Sequence, residues 1–447
     1  LTQNPRQLAF LALRSIHKGA FADVAVDKVL HQSDLNLLDR RLLTELVYGT
    51  IRRQRTLDSL IDQFAKKKSD QQPSDLRLIL HLGFYQLRYL SQIPPSAAVN
   101  TTVDLAKQNG FSGLSGFVNG LLRQYLRSSE TADPLQLPSN PIDRLGILHS
   151  FPDWIVQTWV DQFGIEETHR LCEWMNQPPQ IDLRVNTLRT TVEQVEAAMK
   201  ATGIEVSRIP HLPQALRLPS SAGAIQNLPG YQEGWWIVQD SSAQLVGYLV
   251  DPQPGDTIVD ACAAPGGKTM HLAELMQDQG TIWACDRTPS RLKKLQQNID
   301  RLGLHCIQIK IGDSRNLPEF AGKGDRVLID APCSGLGTLN RHADARWRQT
   351  PESVQELSQL QQEILTEAVS WVKPGGVIIY ATCTLHPSEN ELVIRKFLQS
   401  HPHWIIDRPE ENSPVAYFVS EEGWVKVLPY RHKMDGFFMV RLKRQDR

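Results

Sequence analysis

The sequence predicts a multidomain protein: an all-α front domain, a small α+β middle domain and a doubly wound α/β domain with an antiparallel edge strand. Three observations predict it. Apolar residues recur at helical spacing through residues 5–127, with no alternating stretch. From about residue 236, near-continuous apolar runs alternate with helical segments, as in a parallel sheet covered on both faces. Between these regions, helical and short strand-like patterns are mixed.

The bounds agree. A chain of 447 residues suits two or three domains, and 41% hydrophobic with 22% charged content describes an ordinary globular core. No run of 18 apolar residues is present, so no membrane span is expected. LTQNPRQLAF, which begins with Leu1, has no apolar segment behind a basic start, so no secretory signal is expected. Six scattered cysteines without a C-x-x-C pair suit neither a disulfide framework nor zinc; a reducing cytoplasm and no metal are expected. The net charge of -1 hides an asymmetry: residues 1–130 hold 17 Lys/Arg against 11 Asp/Glu, and the remainder 31 against 38. A basic front end suggests an anionic partner for it.

The front domain, residues 1–130, opens with PRQLAFLALRSIHKG. DRRLLTELVYGTIRRQRTLDSLIDQF then holds helical spacing for about seven turns and should bend. DLRLILHLGFYQLRYL, SAAVNTTVDLAKQNG and SGFVNGLLRQYLR complete it. Its charge clusters, Arg52, Arg53 and Arg55 and then Lys66 to Lys68, read first as solvated helix faces. The small, polar, proline-bearing stretch SSETADPLQLPSNP ends in a linker, residues 131–141. The middle domain, residues 142–235, passes from helices to a strand at QIDLRVNT, a helix at TVEQVEAAMKATG and short strands near IEVSRI and ALRLP. Arg184 and Asn186 share one face of the first strand, and an RNA backbone is their expected contact.

Residues 236–447 carry the runs TIVDAC, GTIWACD, CIQIKIGD, RVLIDAPC and GVIIYATC, and end in GWVKVLPYRHKMDGFFMVRLKR, read as two hairpin-connected strands. Ligands bind outside the carboxyl ends of such strands, so the residues that end each run carry the chemistry. The first run ends at Asp260 and the loop Cys262-Ala263-Ala264-Pro265-Gly266-Gly267-Lys268. Gly267, Lys268 and Thr269 match a phosphate-binding P-loop, but Cys262 stands where that pattern needs its first glycine. Asp286 ends the second run 20 residues beyond Gly266, the spacing of an acid that takes ribose hydroxyls. Asp313 ends the third, placed for an adenine edge. Three carboxylates in register indicate an adenosine-type cofactor.

Asp330 and Cys333 follow the fourth run, and Cys383 the fifth. Asp330 could serve an NTPase as a magnesium ligand, but the thiols favour another chemistry. Carbon 5 of a pyrimidine is a poor nucleophile. A thiolate added at carbon 6 makes it enamine-like, while an acid at nitrogen 3, here Asp330, stabilises the developing charge. A non-catalytic RNA-binding protein with a degenerate enzyme body is the remaining alternative, and the intact cysteines oppose it.

DACAAPGGKT, DAPCSGLGTLNRHADARW and YATCTLHPSENE resemble the RNA (cytosine-5-)-methyltransferases of the RsmB (Sun/Fmu) family. The resemblance extends to a NusB-like front domain, to LRVNTLR as an RNA-binding segment and to DGFFMVRLKR as the last strand. It implies a Rossmann-like class I methyltransferase domain that binds S-adenosyl-L-methionine through Cys262 to Lys268, Asp286, Asp313 and Asp330. Cys383 is then the nucleophile and Cys333 assists product release. The implied partner of a monomeric enzyme is 16S rRNA in the small-subunit precursor, with a cytosine of the 967 type in a hairpin loop as target.

Overall fold

The computed structural model describes residues 4–219 and 222–445. Two compact units form: Leu1–Gln177 with Leu339–Arg348, and Pro178–Thr338 with Gln349–Arg447. Among the described residues no helix is long and apolar enough to cross a membrane.

The first unit is helical throughout. Its core is built from Phe10, Leu43, Leu46, Leu57, Ile79 and Phe84, all with no exposed surface. The seven-turn pattern breaks where a bend was expected, into helices Leu37–Arg52 and Gln54–Phe64, with Arg53 between them out of helical geometry. The cluster beside this break is not solvated as a whole. Arg52 is buried and donates to the Asn340 carbonyl at 3.0 Å. Arg55 donates to the Phe151 carbonyl at 2.6 Å and pairs with Asp143 and Asp153.

Those Arg55 contacts tie residues beyond the expected linker to the helical unit. Helices Pro141–His149 and Asp153–Trp174 pack in the helical unit, although residues 142–177 were assigned to the middle domain. Thr56 Oγ1 donates to the Ile147 carbonyl at 2.6 Å, which fastens the first of them. Gly164, at φ +78°, kinks the second. Leu339–Arg348 also packs in the helical unit, although in sequence it lies between two strands of the α/β sheet. Its anchor is Arg346, fully buried over the Phe151 ring at 4.0 Å. Arg346 donates to the carbonyls of Arg52, Ser150, Met175 and Leu339 and to the Asn176 side chain.

In the second unit, β1 (Ile181–Val185), β2 (Ser207–Arg208), β3 (Ala215–Leu218) and β4 (Trp236–Val238) form an antiparallel sheet in the order β2-β3-β1-β4. Residues 236–238, expected to open the α/β domain, instead close this small sheet by pairing with β1. Helix Val192–Ala201 packs on it and starts at a Thr191/Gln194 capping box. The large sheet holds β5 (Thr257–Asp260), β6 (Thr281–Asp286), β7 (Ile307–Ile311), β8 (Gly324–Asp330), β9 (Val372–Thr382), β10 (Trp404–Ile406), β11 (Val425–Val427) and β12 (Phe437–Arg444). Its order is β10-β12-β9-β8-β5-β6-β7, with β11 paired to β12. The strands from β5 to β9 run parallel and β12 runs antiparallel to β9. The closing strand β12, which runs against the others, is thus interior, and β10 pairs antiparallel with it at the edge. Buried Ile258, Val259, Ile282, Val327, Ile329 and Ile378 explain the continuous apolar runs.

Candidate active site at the strand ends

The turn after β5 leads into helix Gly267–Leu275. Gly266 has φ +105°, and a Cβ there would lie 2.8 Å from Leu295 Cγ, so close helix packing as well as backbone conformation demands glycine. Arg184 braces the helix that follows. Its guanidinium donates to Glu274 Oε1 and Oε2 at 2.7 and 2.9 Å and to the Gly267 carbonyl at 2.8 Å. Arg184 and Asn186 are both buried, which overturns their expected RNA contact. The physical reason is position: β1 is interior, between β3 and β4, and the face that carries Arg184 is covered by the helix it braces.

The carboxyl ends of β5, β6 and β7 surround a pocket whose lining includes Cys262, Asp286, Asp313, Pro332, Leu360 and Ile364. Asp286 accepts from the Thr288 amide at 2.8 Å and from Arg291 at 3.1 Å. Asp313 lies nearby in a bidentate pair with Arg315, whose hydrogen bonds hold its carboxyl down at about 2. Burial pushes the Cys262 thiol well up, so it serves as wall rather than nucleophile. An apolar slot flanked by two carboxylates fits S-adenosylmethionine. Asp286 would take the ribose, Asp313 the adenine edge, and Leu360, Ile364 and Pro332 the faces of the base.

Beside this pocket, β8 and β9 run parallel with Asp330 opposite Ala381. Their end loops bring Cys333 and Cys383 together, with a sulfur–sulfur distance of 3.4 Å. Lys268 Nζ binds Asp330 Oδ2 at 2.6 Å and lies 4.9 Å from the Phe437 ring centroid. Burial works against the Lys268 ammonium, but the charge and hydrogen bond of Asp330 outweigh it and hold its pKa above the ordinary value. Cys333 is raised well above its ordinary value, by its hydrogen bond to Cys383 and then by burial. One mouth thus holds two thiols and a Lys–Asp pair.

Sequence reasoning placed Lys268 only at the cofactor loop, whereas its ammonium reaches Asp330, 62 residues away. Nothing local signals such a pair. Asp260 was noted as a strand end and given no role. It is buried, accepts from Thr269 Oγ1 at 2.7 Å, and desolvation pushes its carboxyl up to about 7. Cys172 and Cys285 are buried with thiols pushed up by burial, and Cys306 is pushed up to about 12. All three are packing residues.

A probable ribosomal RNA small subunit methyltransferase B from Synechocystis is 49% identical to this chain over 443 residues, 98% of the chain and 99% of the relative. The 16S rRNA methyltransferase RsmB/F profile matches residues 247–443. The chain belongs to the RsmB/F family of rRNA small subunit methyltransferases. A Bacillus subtilis relative of the same name is 35% identical over 98% of both chains. The NusB family profile matches residues 3–127, and the ferredoxin-like domain of RsmF/B-like methyltransferases matches 151–224. The crystal structure of PH0851 aligns with 99% of the chain and 100% of its own at a TM-score of 0.82 and 28% identity. As an RsmB/F member, the chain is an S-adenosylmethionine-dependent methyltransferase.

Proposed function

We propose that this methyltransferase modifies carbon 5 of a cytosine in 16S rRNA, at the 967-type site, through a covalent bond between Cys383 and the base. The observation that carries the reading is the pair of thiols 3.4 Å apart beside Asp330. Base methylation at nitrogen needs no thiol; methylation at carbon 5 needs one and gains from a second.

The Cys383 thiol gives its proton to solvent and the thiolate adds to carbon 6, so that the double bond between carbons 5 and 6 becomes an electron pair available at carbon 5. As the sulfur adds, nitrogen 3 takes a proton from solvent; the Asp330 carboxylate accepts the resulting N–H, and Lys268 fixes the orientation of that carboxylate. S-adenosylmethionine, when bound, supplies the methyl group. The carbon 5 proton then leaves to solvent, its bonding pair restores the double bond, and the Cys383–carbon 6 bond breaks. Cys333, kept as a thiol by its surroundings, assists that last departure. The target base must be splayed from its neighbours to reach this mouth, as single-stranded loops allow.

Incubation with small-subunit precursor RNA and labelled S-adenosylmethionine, followed by mapping, should place the label on carbon 5 of one cytosine. In parallel, Cys333→Ala should accumulate an RNA adduct through Cys383, visible as a nuclease-sensitive slow band on a denaturing gel. Label on a nitrogen or a ribose, or trapping through Cys383→Ala instead, would overturn the assignment.

A further inference from the structure

Both cysteine loops converge on one buried carboxylate that the reaction above does not use. Glu389 lies in the short turn Pro387–Glu389 after β9 and has no exposed surface. Its Oε1 accepts from the Ser334 amide at 2.8 Å and from Gln361 Nε2 at 3.1 Å. Its Oε2 accepts from Ser334 Oγ at 2.5 Å and from Thr384 Oγ1 at 3.2 Å. The two hydroxyls lie 2.8 Å apart, and with one proton each they share these three contacts rather than making all of them at once. Ser334 follows Cys333 in the chain and Thr384 follows Cys383. A single carboxylate therefore grips the residue next to each thiol.

The rest of the turn tightens the grip. Asn390 accepts from Thr382 Oγ1 at 2.5 Å and donates to the Thr384 carbonyl at 3.0 Å, which pins the Cys383 loop on both sides of the sulfur. Tyr380 OH donates to the Glu389 carbonyl at 2.6 Å. On the Cys333 loop, Gln361 Nε2 donates to the Pro332 carbonyl at 2.8 Å, before the sulfur, but beyond it the link through Ser334 runs to Glu389 by both amide and hydroxyl. Asn390 holds the Cys383 loop without Glu389, whereas Gln361 itself leans on the carboxylate, so loss of Glu389 should loosen the Cys333 loop more than the Cys383 loop.

We propose that Glu389 is the positioning residue that holds the Cys333 thiol against the Cys383 adduct, so that removing it separates bond formation from bond release. The inference rests on the two-thiol reading above. Burial shifts the Glu389 carboxyl upward, and any charge it keeps lies beside Cys333, where it favours the thiol over the thiolate. That matches a group meant to act after transfer rather than to attack.

The test compares first-turnover methyl transfer with steady-state turnover in Glu389→Gln, which keeps size but loses two acceptor positions. First-turnover transfer should stay within about threefold of the parent, while steady-state turnover falls at least about tenfold and the Cys383–RNA adduct accumulates. Ser334→Ala, which removes one arm and leaves the carboxylate in place, should show the same split at smaller amplitude. It answers the question if Glu389→Gln does not fold. Equal loss of both rates together with cofactor affinity would make Glu389 merely structural and overturn the proposal. So would parental turnover without adduct. Cys333→Ala in the same gel separates the two levels of inference. If it traps RNA and Glu389→Gln does not, only the Glu389 role fails; if neither traps, the two-thiol reading fails first.

Discussion

Two sets of strand-borne polar residues differ in what they do, and the contrast lies in where along the strand each sits. Arg184 stands within β1 of the small sheet, between two neighbouring strands, and its charge is spent on Glu274 in the interior. Asp286, Asp330 and Cys383 stand at or just past the carboxyl ends of β6, β8 and β9, where the ladder stops, and Asp286 lines the pocket there. A polar side chain inside a strand of a covered sheet must find a buried partner. One at the strand's end can keep its hydrogen-bonding capacity for a ligand. Changes at the first kind should therefore act on stability, and changes at the second on activity or binding.

The sharpest test lies at the strand ends. Cys383→Ala should lower methyl transfer on the order of 10⁴-fold, equivalent to roughly 5.5 kcal/mol of barrier, with an unchanged unfolding midpoint. A parallel loss of stability would break the comparison. Arg184→Ala should do the reverse. It leaves Glu274 buried without its cation, at a cost of about 3–5 kcal/mol in denaturant unfolding, and methyl transfer per folded molecule should fall far less. A fully stable Arg184→Ala that loses RNA affinity would restore the surface role that burial removed.

Asp286→Ala should weaken S-adenosylmethionine binding by about 1–3 kcal/mol in calorimetry while leaving the melting temperature of the ligand-free protein in place. Unchanged affinity would remove its ribose assignment. The smallest expected effect comes from a buried polar group in the helical unit. His149 is bonded to His169 at 3.1 Å, and burial lowers its pKa from 6.5 to about 3. Below pH 6.5 the unfolded chain takes up this proton and the folded one does not. Stability contributed by neutral His149 is therefore full above 6.5 and declines as pH falls towards 3. Between pH 6.5 and 5.5 the loss is about 1 kcal/mol. His149→Gln should flatten that part of the stability–pH curve by this amount, and an unaltered slope would show that His149 is not the titrating group.

Much of the site was legible because its residues are local to strand ends. Apolar runs located five strands, and the residue that stops each run named Asp286, Asp313, Asp330, Cys333 and Cys383 without any knowledge of contacts. Alternation put Arg184 and Asn186 on one face, and both are buried. It could not say that the face was covered, because a period of two distinguishes faces and not their environments. Boundaries misled for a related reason. WIV at residues 236–238 reads like the start of an α/β unit, and only its pairing with β1 assigns it to the small sheet.

The sequence by itself determined the layers and which polar residues stand at the strand ends: periodicity is a property of consecutive residues, and so is the position of a polar group just past an apolar run. Tertiary structure alone decided the partners. It carried Leu339–Arg348 into the helical unit on the buried Arg346, closed Lys268 onto Asp330 across 62 residues, and gathered both cysteine loops on Glu389. Arg346 and Glu389 are fully buried and Lys268 and Asp330 half-buried, and the desolvation of such groups has to be offset by partners. Those partners come from distant parts of the chain, so no local pattern announces them.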